Sequence, residues 1–305
     1  MESLIRRRLT SDGHLCGLIA RFGDEPAIFY AKAPADTDSP EVGYPSIVLT
    51  ADKFSDAVHG LAGLLTVEII TSQDTTPPED IANLVRELLE GVFFKPLDGE
   101  IFCLKWQKTD IFQEPASERM TLIIGAEMAF EIYEFPNVET STPDPIEAIN
   151  HWAAAVDPNI MLIGKYNFGD IFIPTRENPA VYFDVISEKS LVQQTAAVFL
   201  STKIRVHVFA PDVTSRREWL TFLRQEILFK GHVMMDDGAP MRLQETELNF
   251  AANEIDGQLT LEFHYGLRRR MKYAHPLNYR EVDFSKKLRW EDRDVYFNRI
   301  SQSGA

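Results

Sequence analysis

The stretch Leu65-Thr66-Val67-Glu68-Ile69-Ile70, together with residues 77–91 that follow it, decides the fold. The first stretch alternates apolar and polar residues at its start, which predicts a strand with one buried face. The second begins with Pro77-Pro78-Glu79-Asp80 and ends at Gly91, and such residues typically begin and end a helix. Between them, apolar residues recur at the spacing of one helix face, which predicts an amphipathic helix. They are Ile81, Leu84, Val85, Leu88 and Leu89.

The same strand and helix recur in the second half of the chain, shifted by 139 residues, so that Val67 corresponds to Val206. Val206 belongs to the alternating run 204–209, and Ser215 followed by Glu218 fits a capping box at the start of the second helix. The apolar residues of the two helices match without a gap: Ile81 with Leu220, Leu84 with Leu223, Leu88 with Ile227, and Leu89 with Leu228. This correspondence predicts an internal duplication.

Weaker matches extend the repeat outward. A strand at 44–49 corresponds to 178–183. Each half also begins with an amphipathic helix and ends with a pair of strands. The helices are residues 4–9 and 146–156, and the strand pairs are 100–106 with 122–133 and 241–250 with 258–265. Each half therefore has the order helix, strand, strand, helix, strand, strand.

This order predicts an α+β fold with two similar units, each with helices packed on one face of a mainly antiparallel sheet. A Pro-rich segment, 136–145, lies between the two units. We therefore expect three parts: a domain at 1–138, a repeat-related domain at 139–271, and an extended C-terminal arm at 272–305 that is basic and aromatic.

Composition limits the class of protein. The chain has 305 residues, 31 Lys plus Arg against 46 Asp plus Glu, and 45% hydrophobic residues. These values are typical of a folded soluble protein and exclude a disordered chain, a collagen-like chain and a membrane channel. We find no apolar run long enough for a membrane span or a secretory signal, so we expect a cytoplasmic protein with no membrane contact. Cys16 and Cys103 lack the number and spacing of a disulfide framework or a metal site.

Charge is distributed unevenly along the chain. Residues 1–139 hold 11 basic and 24 acidic residues, a net charge of −13, whereas residues 268–305 hold 10 basic and 5 acidic residues, a net charge of +5. Either the basic tail is solvated, or it lies on an acidic surface of its own chain or of a neighbouring subunit. The candidate partner-binding residues of this tail are Arg268, Arg269, Arg270, Lys272, Tyr279, Phe284, Trp290, Tyr296 and Phe297.

The basic cluster that begins at Arg268 has three interpretations: a solvated strand end, a contact for nucleic-acid phosphate, or a contact for an acidic protein. The acidity of the rest of the chain favours the protein partner. Aromatic residues outside a core are more typical of a docking arm than of a free tail.

Catalytic motifs are absent from the sequence. It contains no G-x-S-x-G elbow, no phosphate-binding P-loop and no G-x-G-x-x-G dinucleotide motif. The seven histidines lack metal-ligand spacing, and we expect His207 and His264, which lie in alternating strands, to be surface or hydrogen-bonded residues. We therefore expect no enzyme activity, no catalytic residue, no cofactor and no metal ion.

The order of features in residues 1–135 has a counterpart in a known family. The first features are a leading helix with Leu4, Ile5 and Leu9, then Asp12 followed by the apolar residues of 15–19, and then Ile28-Phe29-Tyr30 with Ala33-Pro34. Next come two strands, Tyr44-Pro45-Ser46-Ile47-Val48-Leu49 and residues 63–69. The last is the helix at 81–89, which is followed by Gly91-Val92-Phe93-Phe94. This order resembles the tail completion or tail terminator proteins of long-tailed bacteriophages, also called tail-to-head joining proteins. Family members are typically single-domain chains of about half this length, so a tandem duplication is a departure from the family.

The resemblance implies a structural virion protein, assembled in the host cytoplasm, that forms a ring on the tail tube. Such a ring terminates the tube and joins it to head, neck or connector proteins. It implies a homo-oligomer, either a hexamer or a trimer with pseudo-sixfold symmetry, in which the arm reaches a neighbour. Genomic DNA would pass through the lumen without specific contact, because acidic walls repel phosphate.

Two other classes of function stay open. One is a cytoplasmic two-domain adaptor or protein-binding module without catalysis. The other is an enzyme with a cleft between the domains, against which the missing catalytic motifs count.

Overall fold

The computed structural model describes residues 1–31, 43–58, 60–115, 122–136, 143–164, 168–193 and 197–268. Residues 1–267 form one compact unit. The predicted arm at 272–305 lies outside the described residues. None of the described helices is long and apolar enough to cross a membrane.

The first half of the chain, residues 1–136, contains three helices and eight strands among its described residues. The helices are α1 (Glu2–Thr10), α2 (Gly13–Leu18) and α3 (Pro78–Leu89). The strands are β1 (Arg21–Phe22), β2 (Glu25–Pro26), β3 (Ile28–Tyr30), β4 (Ser46–Val58), β5 (Leu61–Ser72), β6 (Phe93–Phe94), β7 (Ile101–Pro115) and β8 (Leu122–Phe135).

The second half, residues 143–268, contains two helices and seven strands in its described part. The helices are α4 (Pro145–Val156) and α5 (Val213–Lys230). The strands are β9 (Met161–Leu162), β10 (Ile171–Phe172), β11 (Ala180–Gln193), β12 (Ala197–Phe209), β13 (His232–Met234), β14 (Pro240–Leu248) and β15 (Leu259–Arg268).

The two halves build their main sheets with the same topology. The first sheet has the strand order β10-β6-β7-β8-β5-β4-β3 and the second has the order β13-β14-β15-β12-β11-β9. Apart from β10, every strand of the first sheet has its equivalent at the same place in the second. Antiparallel hairpins form most of each sheet, and the edge strands β3 and β9 are parallel to β4 and β11. The predicted fold, α+β with two similar units and mainly antiparallel sheets, is therefore confirmed.

The predicted helix of the first half covers one face of the first sheet. Pro78 occupies the first turn of α3, where its missing N–H costs no hydrogen bond. The apolar face of α3 is buried against the inward residues of β5, Leu65, Val67 and Ile69, in one hydrophobic core. α1 and α2 also pack against α3, and Arg8 Nε donates to the carbonyl oxygen of Leu88 at 3.1 Å. The last turn of α3 is thus covered by other helices.

The corresponding helix of the second half is less covered. Leu220, Leu223 and Ile227 of α5 are buried in a second core, as the repeat predicts, but Leu228 is 50% exposed. Leu228 therefore does not share the burial of its counterpart Leu89. The second half has a single described helix before its first hairpin, α4, which packs against β11 and β13, so the last turn of α5 lacks the cover that α1 and α2 give to α3.

The start of α5 also differs from the prediction. Asp212 is the N-cap, and its side chain accepts hydrogen bonds from the backbone N–H groups of Thr214 and Ser215 at 2.8 and 2.9 Å. Ser215 lies inside the first turn and its hydroxyl donates to Asp212 at 2.6 Å. The capping box predicted from Ser215 and Glu218 is wrong, because Asp212, and not Ser215, is the residue that caps the helix and accepts from backbone N–H groups of its first turn.

A third apolar cluster joins the two sheets on the faces that the helices do not cover. We name it the interlayer cluster: Phe93, Cys103, Phe135, Ile163, Phe168, Ala180, Tyr182 and Phe209. The ring centroids of Phe93 and Phe209 are 4.9 Å apart, and those of Phe135 and Phe209 are 5.4 Å apart, both edge to face. β10, from the second half, also pairs with β6 of the first sheet. The predicted division into domains at 138/139 and 271/272 stays a prediction.

Candidate functional site

The partner-binding residues predicted from sequence lie almost wholly outside the described residues. Arg268 is the last residue of β15. The others are Arg269, Arg270, Lys272, Tyr279, Phe284, Trp290, Tyr296 and Phe297, and their role stays a prediction. The described residues build three other candidate surfaces.

His207, one of the two histidines that we expected to be surface or hydrogen-bonded residues, is hydrogen-bonded within the fold. His207 is buried, its Nδ1 lies 2.9 Å from the carbonyl oxygen of Glu254, and its Nε2 lies 3.0 Å from Asp184 Oδ1. Both ring nitrogens are thus used within the fold. Across the described part of the chain, no group of three His, Cys, Asp or Glu side chains is placed to hold a metal ion.

The first candidate surface is a row of carboxylates on the face of the first sheet opposite the helices. Glu68 on β5 lies directly across from Glu127 on β8, which lies directly across from Asp110 on β7. Neighbouring strands are about 4.8 Å apart, so the three groups stand side by side. We call Glu68, Glu127 and Asp110 the carboxylate row.

Lys108 compensates part of this charge. Lys108 Nζ donates to Asp110 at 2.6 Å, and this hydrogen bond, with the charges of Asp110 and Glu127, raises the pKa of Lys108 above its ordinary value. Glu127 and Asp110 are exposed carboxylates beside the single ammonium of Lys108, so this part of the sheet face keeps a formal negative charge at pH 7. A negative sheet face of this kind repels phosphate and attracts cations.

The second candidate surface is the outer part of the β11–β12 hairpin. Residues 180–183 of β11 are buried, whereas residues 188–193 are exposed. Leu191, Val192 and Phe199 are exposed, and Val192 lies directly across from Phe199 in the strand register. Directly opposed side chains on neighbouring strands are about 5 Å apart, so Val192 and Phe199 form an exposed apolar pair. Leu191, at the register shift beside Val192, is a third exposed apolar residue at this end of the hairpin, and we call the three residues the hairpin tip. Grouped exposed apolar residues mark interaction surfaces.

The third candidate surface is a cleft between the end of α3 and the start of α5, with a volume of about 450 Å³. We call it the α3–α5 cleft. Its charged lining residues are Glu87, Glu90, Asp212, Glu254 and Arg216, four carboxylates and one guanidinium, a formal charge of −3. Ile173 and Val213 add apolar surface to the same lining and are 46% and 52% exposed.

Hydrogen bonds and ion pairs fix part of the cleft. Arg216 forms an ion pair with Glu254, whose other carboxylate oxygen lies 3.9 Å from Lys105 Nζ. Arg86 Nε donates to Glu90 at 2.6 Å. The hydroxyl of Ser215, followed by backbone N–H groups, lowers the pKa of Asp212, so Asp212 stays ionised at neutral pH.

The cleft has no signal in the sequence, because its residues lie far apart in the chain. Glu87 is on a helix of the first half, Val213 and Arg216 are on a helix of the second half, and Glu254 is in the segment before the last strand. Only the packing of the two halves through the interlayer cluster brings them together. The hairpin tip, in contrast, had a signal in the apolar residues of 185–199, which the match to the repeat does not cover.

Comparison with known proteins finds one similar solved structure and no similar family model or curated sequence. No protein-family model matches the chain. No curated protein sequence matches it either. Among solved structures, the chain is similar to a chain of the structure titled "Virion of native gene transfer agent (GTA) particle". The match has 17% sequence identity, covers 44% of this chain and 94% of that chain, and has a TM-score of 0.30. At this TM-score the match carries no conclusion about function.

Proposed function

We propose that the protein is a structural component of a phage-like virion, in which it forms a ring that terminates the tail tube and joins it to the head or neck. The resemblance of residues 1–135 to tail terminator proteins suggests this class. The observation that carries the proposal is the duplicated sheet topology. Two similar units in each chain would let three chains form a ring with pseudo-sixfold symmetry, or six chains form a ring with two layers. The proposal assigns no catalysis, cofactor or metal ion to the chain.

The hairpin tip supports self-association. Its three apolar side chains lie at the end of a hairpin whose outer residues are exposed. Their contact with water is unfavourable, and they add little to the stability of the fold. Burial of these side chains against a neighbouring copy would stabilise the contact by about 25 cal/mol for each Å² of apolar surface taken from water. We therefore assign the hairpin tip to the contact between neighbouring copies.

The carboxylate row supports a lumen role for the first sheet. DNA that passes through a tail must not adhere to the wall, and carboxylates repel its phosphates. Glu127 and Asp110 are exposed on the face opposite the helices. In the proposed ring this face lines the lumen, so each chain contributes one carboxylate row to the wall.

Negative-stain microscopy of the purified protein tests the proposal together with mass measurement by sedimentation velocity. We expect rings, and a mass that corresponds to three or six chains. The double variant Leu191→Lys/Val192→Lys should dissociate the rings, because it places two charges in the buried contact. The matched control, Gln193→Lys, adds a charge to the exposed neighbour on the same strand and should leave the rings intact.

A protein that stays monomeric at every concentration would contradict the ring. The second candidate, an adaptor that binds a basic segment of another protein, would then be favoured by the acidic and apolar lining of the α3–α5 cleft. The location in a virion is tested separately, by detection of the chain in purified particles.

A further inference from the structure

We propose that the α3–α5 cleft is the receiving site for the basic, aromatic C-terminal segment, residues 268–305, of a second copy of this chain. The inference rests on the self-association of the proposed function and names the surface that takes part. It extends that proposal from the hairpin tip to a second contact with different chemistry.

Charge complementarity is the first argument. The cleft lining has a formal charge of −3, and residues 268–305 have a net charge of +5. Four of the ten basic residues of this segment are concentrated within residues 268–272. Opposite charges of this size accelerate association and select the partner.

The accessible groups of the cleft are the second argument. Glu90 and Glu254 already have cationic partners, but Glu87 is exposed and has no ion pair or hydrogen bond among the described residues. Glu87 can therefore accept from an arriving Arg or Lys without the loss of an existing contact. The exposed side chains of Ile173 and Val213 lie in the same cleft and can pack against an aromatic ring.

The size of the cleft limits what it can hold. A volume of about 450 Å³ accommodates a few large side chains rather than a segment of 38 residues. The cleft therefore binds an anchor of one or two basic residues with a neighbouring aromatic residue. Such an anchor is weak by itself, and a ring strengthens it because every copy contributes one segment and one cleft.

A head-to-tail contact of this kind explains why the occupant is a second copy. Each copy offers a basic segment and an acidic cleft, and these two surfaces are different, so copies joined in this way continue from one to the next until the ring closes. The hairpin tip and the cleft would then act together at each junction.

Binding of a synthetic peptide tests the cleft directly. A fluorescein-labelled peptide of residues 268–305 is titrated into the full-length protein, and anisotropy is recorded at low and at physiological salt. We expect saturable binding that weakens with salt, and about a tenfold weaker affinity for Glu87→Lys, which corresponds to the loss of one charge contact. Glu247→Lys is the matched control, since Glu247 is an exposed carboxylate on β14 outside the cleft, and it should bind as the wild type does.

Competition then tests whether the occupant comes from a second copy. Unlabelled peptide in excess should dissociate full-length oligomers in sedimentation velocity, whereas a peptide with Arg268, Arg269, Arg270 and Lys272 changed to Glu should not. Glu87→Lys should lower the oligomer mass, and Glu247→Lys should leave it unchanged. Circular dichroism checks that both variants are folded, and Val213→Ser is a second cleft variant that should weaken binding without a change of charge.

The possible outcomes separate this inference from the proposed function. Peptide binding that Glu87→Lys and Val213→Ser leave unchanged would overturn the cleft, even if the wild type forms rings. Weakened peptide binding with an unchanged oligomer mass would also overturn it, because the segment would then serve its own chain. Peptide-sensitive oligomers that are not rings would contradict the tail ring and support the cleft.

Discussion

Gly63 shows how a single position determines the pairing of the first hairpin. It is buried on β5 beside a register shift, and a Cβ atom there would clash with the backbone oxygen of Asp52 and lie 3.1 Å from Lys53 Cα. Backbone atoms cannot move aside as the end of a flexible side chain can. Gly63→Ala should therefore lower the free energy of unfolding by about 2 kcal/mol, measured by urea denaturation.

Gly17 is the matched control for this prediction. It lies in α2, and a Cβ atom there would meet nothing within 4 Å. Because alanine is the better helix former, Gly17→Ala should raise the free energy of unfolding by about 0.5 kcal/mol. Equal effects of the two substitutions would show that β4 and β5 do not approach each other as described.

Four tyrosines that are buried or half-buried should make the protein sensitive to alkali. Burial, the largest cause at all four positions, raises the pKa of Tyr30, Tyr133, Tyr182 and Tyr265. At Tyr265 a hydrogen bond to Glu188, 2.6 Å long, raises the pKa further. A tyrosine with a raised pKa in the folded state stays protonated while the unfolded chain ionises near pH 10.

The sign of the effect follows from this difference. The contribution of these tyrosines is complete below about pH 10 and is lost as the pH rises above that value, because the unfolded state then releases protons that the folded state retains. We expect the free energy of unfolding to fall as the pH rises above about 10. Tyr265→Phe should make this fall shallower. A titration by ultraviolet absorbance in which every tyrosine ionises near pH 10 while the protein stays folded would contradict the account.

At the scale of elements, the start of α5 separates two possible caps. Asp212 accepts from two backbone N–H groups, whereas Glu218 forms an exposed pair with Arg176. Asp212→Ala should lower Tm in a thermal scan, and Glu218→Ala should leave Tm close to that of the wild type. The low pKa of Asp212 means that the cap is lost as the pH falls below about 4, so Asp212→Ala should matter less in acid. A larger decrease of Tm for Glu218→Ala than for Asp212→Ala would contradict this account and favour the capping box.

The sequence predicted the repeated elements because each has one buried face with its own period. The buried residues of β5 alternate and those of α3 recur every three or four positions, as do most of those of α5. In β12 the apolar residues alternate with polar ones over 204–208, although the structure also buries consecutive residues at 206–209. Short strands have no such signal: β9 and β10 have two residues each, and β10 leaves its own half to pair with β6. Their place is determined by tertiary packing, which a local pattern does not contain.

The candidate surfaces were less predictable than the fold for the same reason. Glu68, Glu127 and Asp110 come from three strands, and only the register of β5, β8 and β7 places them in one row. The α3–α5 cleft depends on contacts between residues far apart in the chain, such as Lys105 and Glu254, which are 149 positions apart. The charge difference between the first half and the C-terminal segment was visible in the sequence, but the surface that it serves was not.

At the scale of the whole molecule, the interlayer cluster makes the two halves one unit. Each half has its own core under its helices, and the cluster joins the two sheets through aromatic rings on their opposite faces. Polar contacts add to it: Tyr182 donates to the carbonyl oxygen of Pro136 at 3.0 Å, and Glu254 contacts both Arg216 and Lys105. A ring subunit built this way keeps its carboxylate row, hairpin tip and cleft in fixed relation.

This arrangement predicts cooperative unfolding that depends on the interlayer cluster. The wild type should lose amide-exchange protection in both halves over the same range of urea, followed by hydrogen exchange and mass spectrometry. Phe135→Ala/Phe209→Ala removes two rings that pack edge to face, at about 3 kcal/mol each, and should make the halves lose protection at different urea concentrations. Phe263→Ala, in the core of the second half, is the control: it should lower the stability of both halves while they still unfold together, because the cluster is intact. If the two halves of the double variant still unfold in one transition, contacts other than the interlayer cluster couple their unfolding.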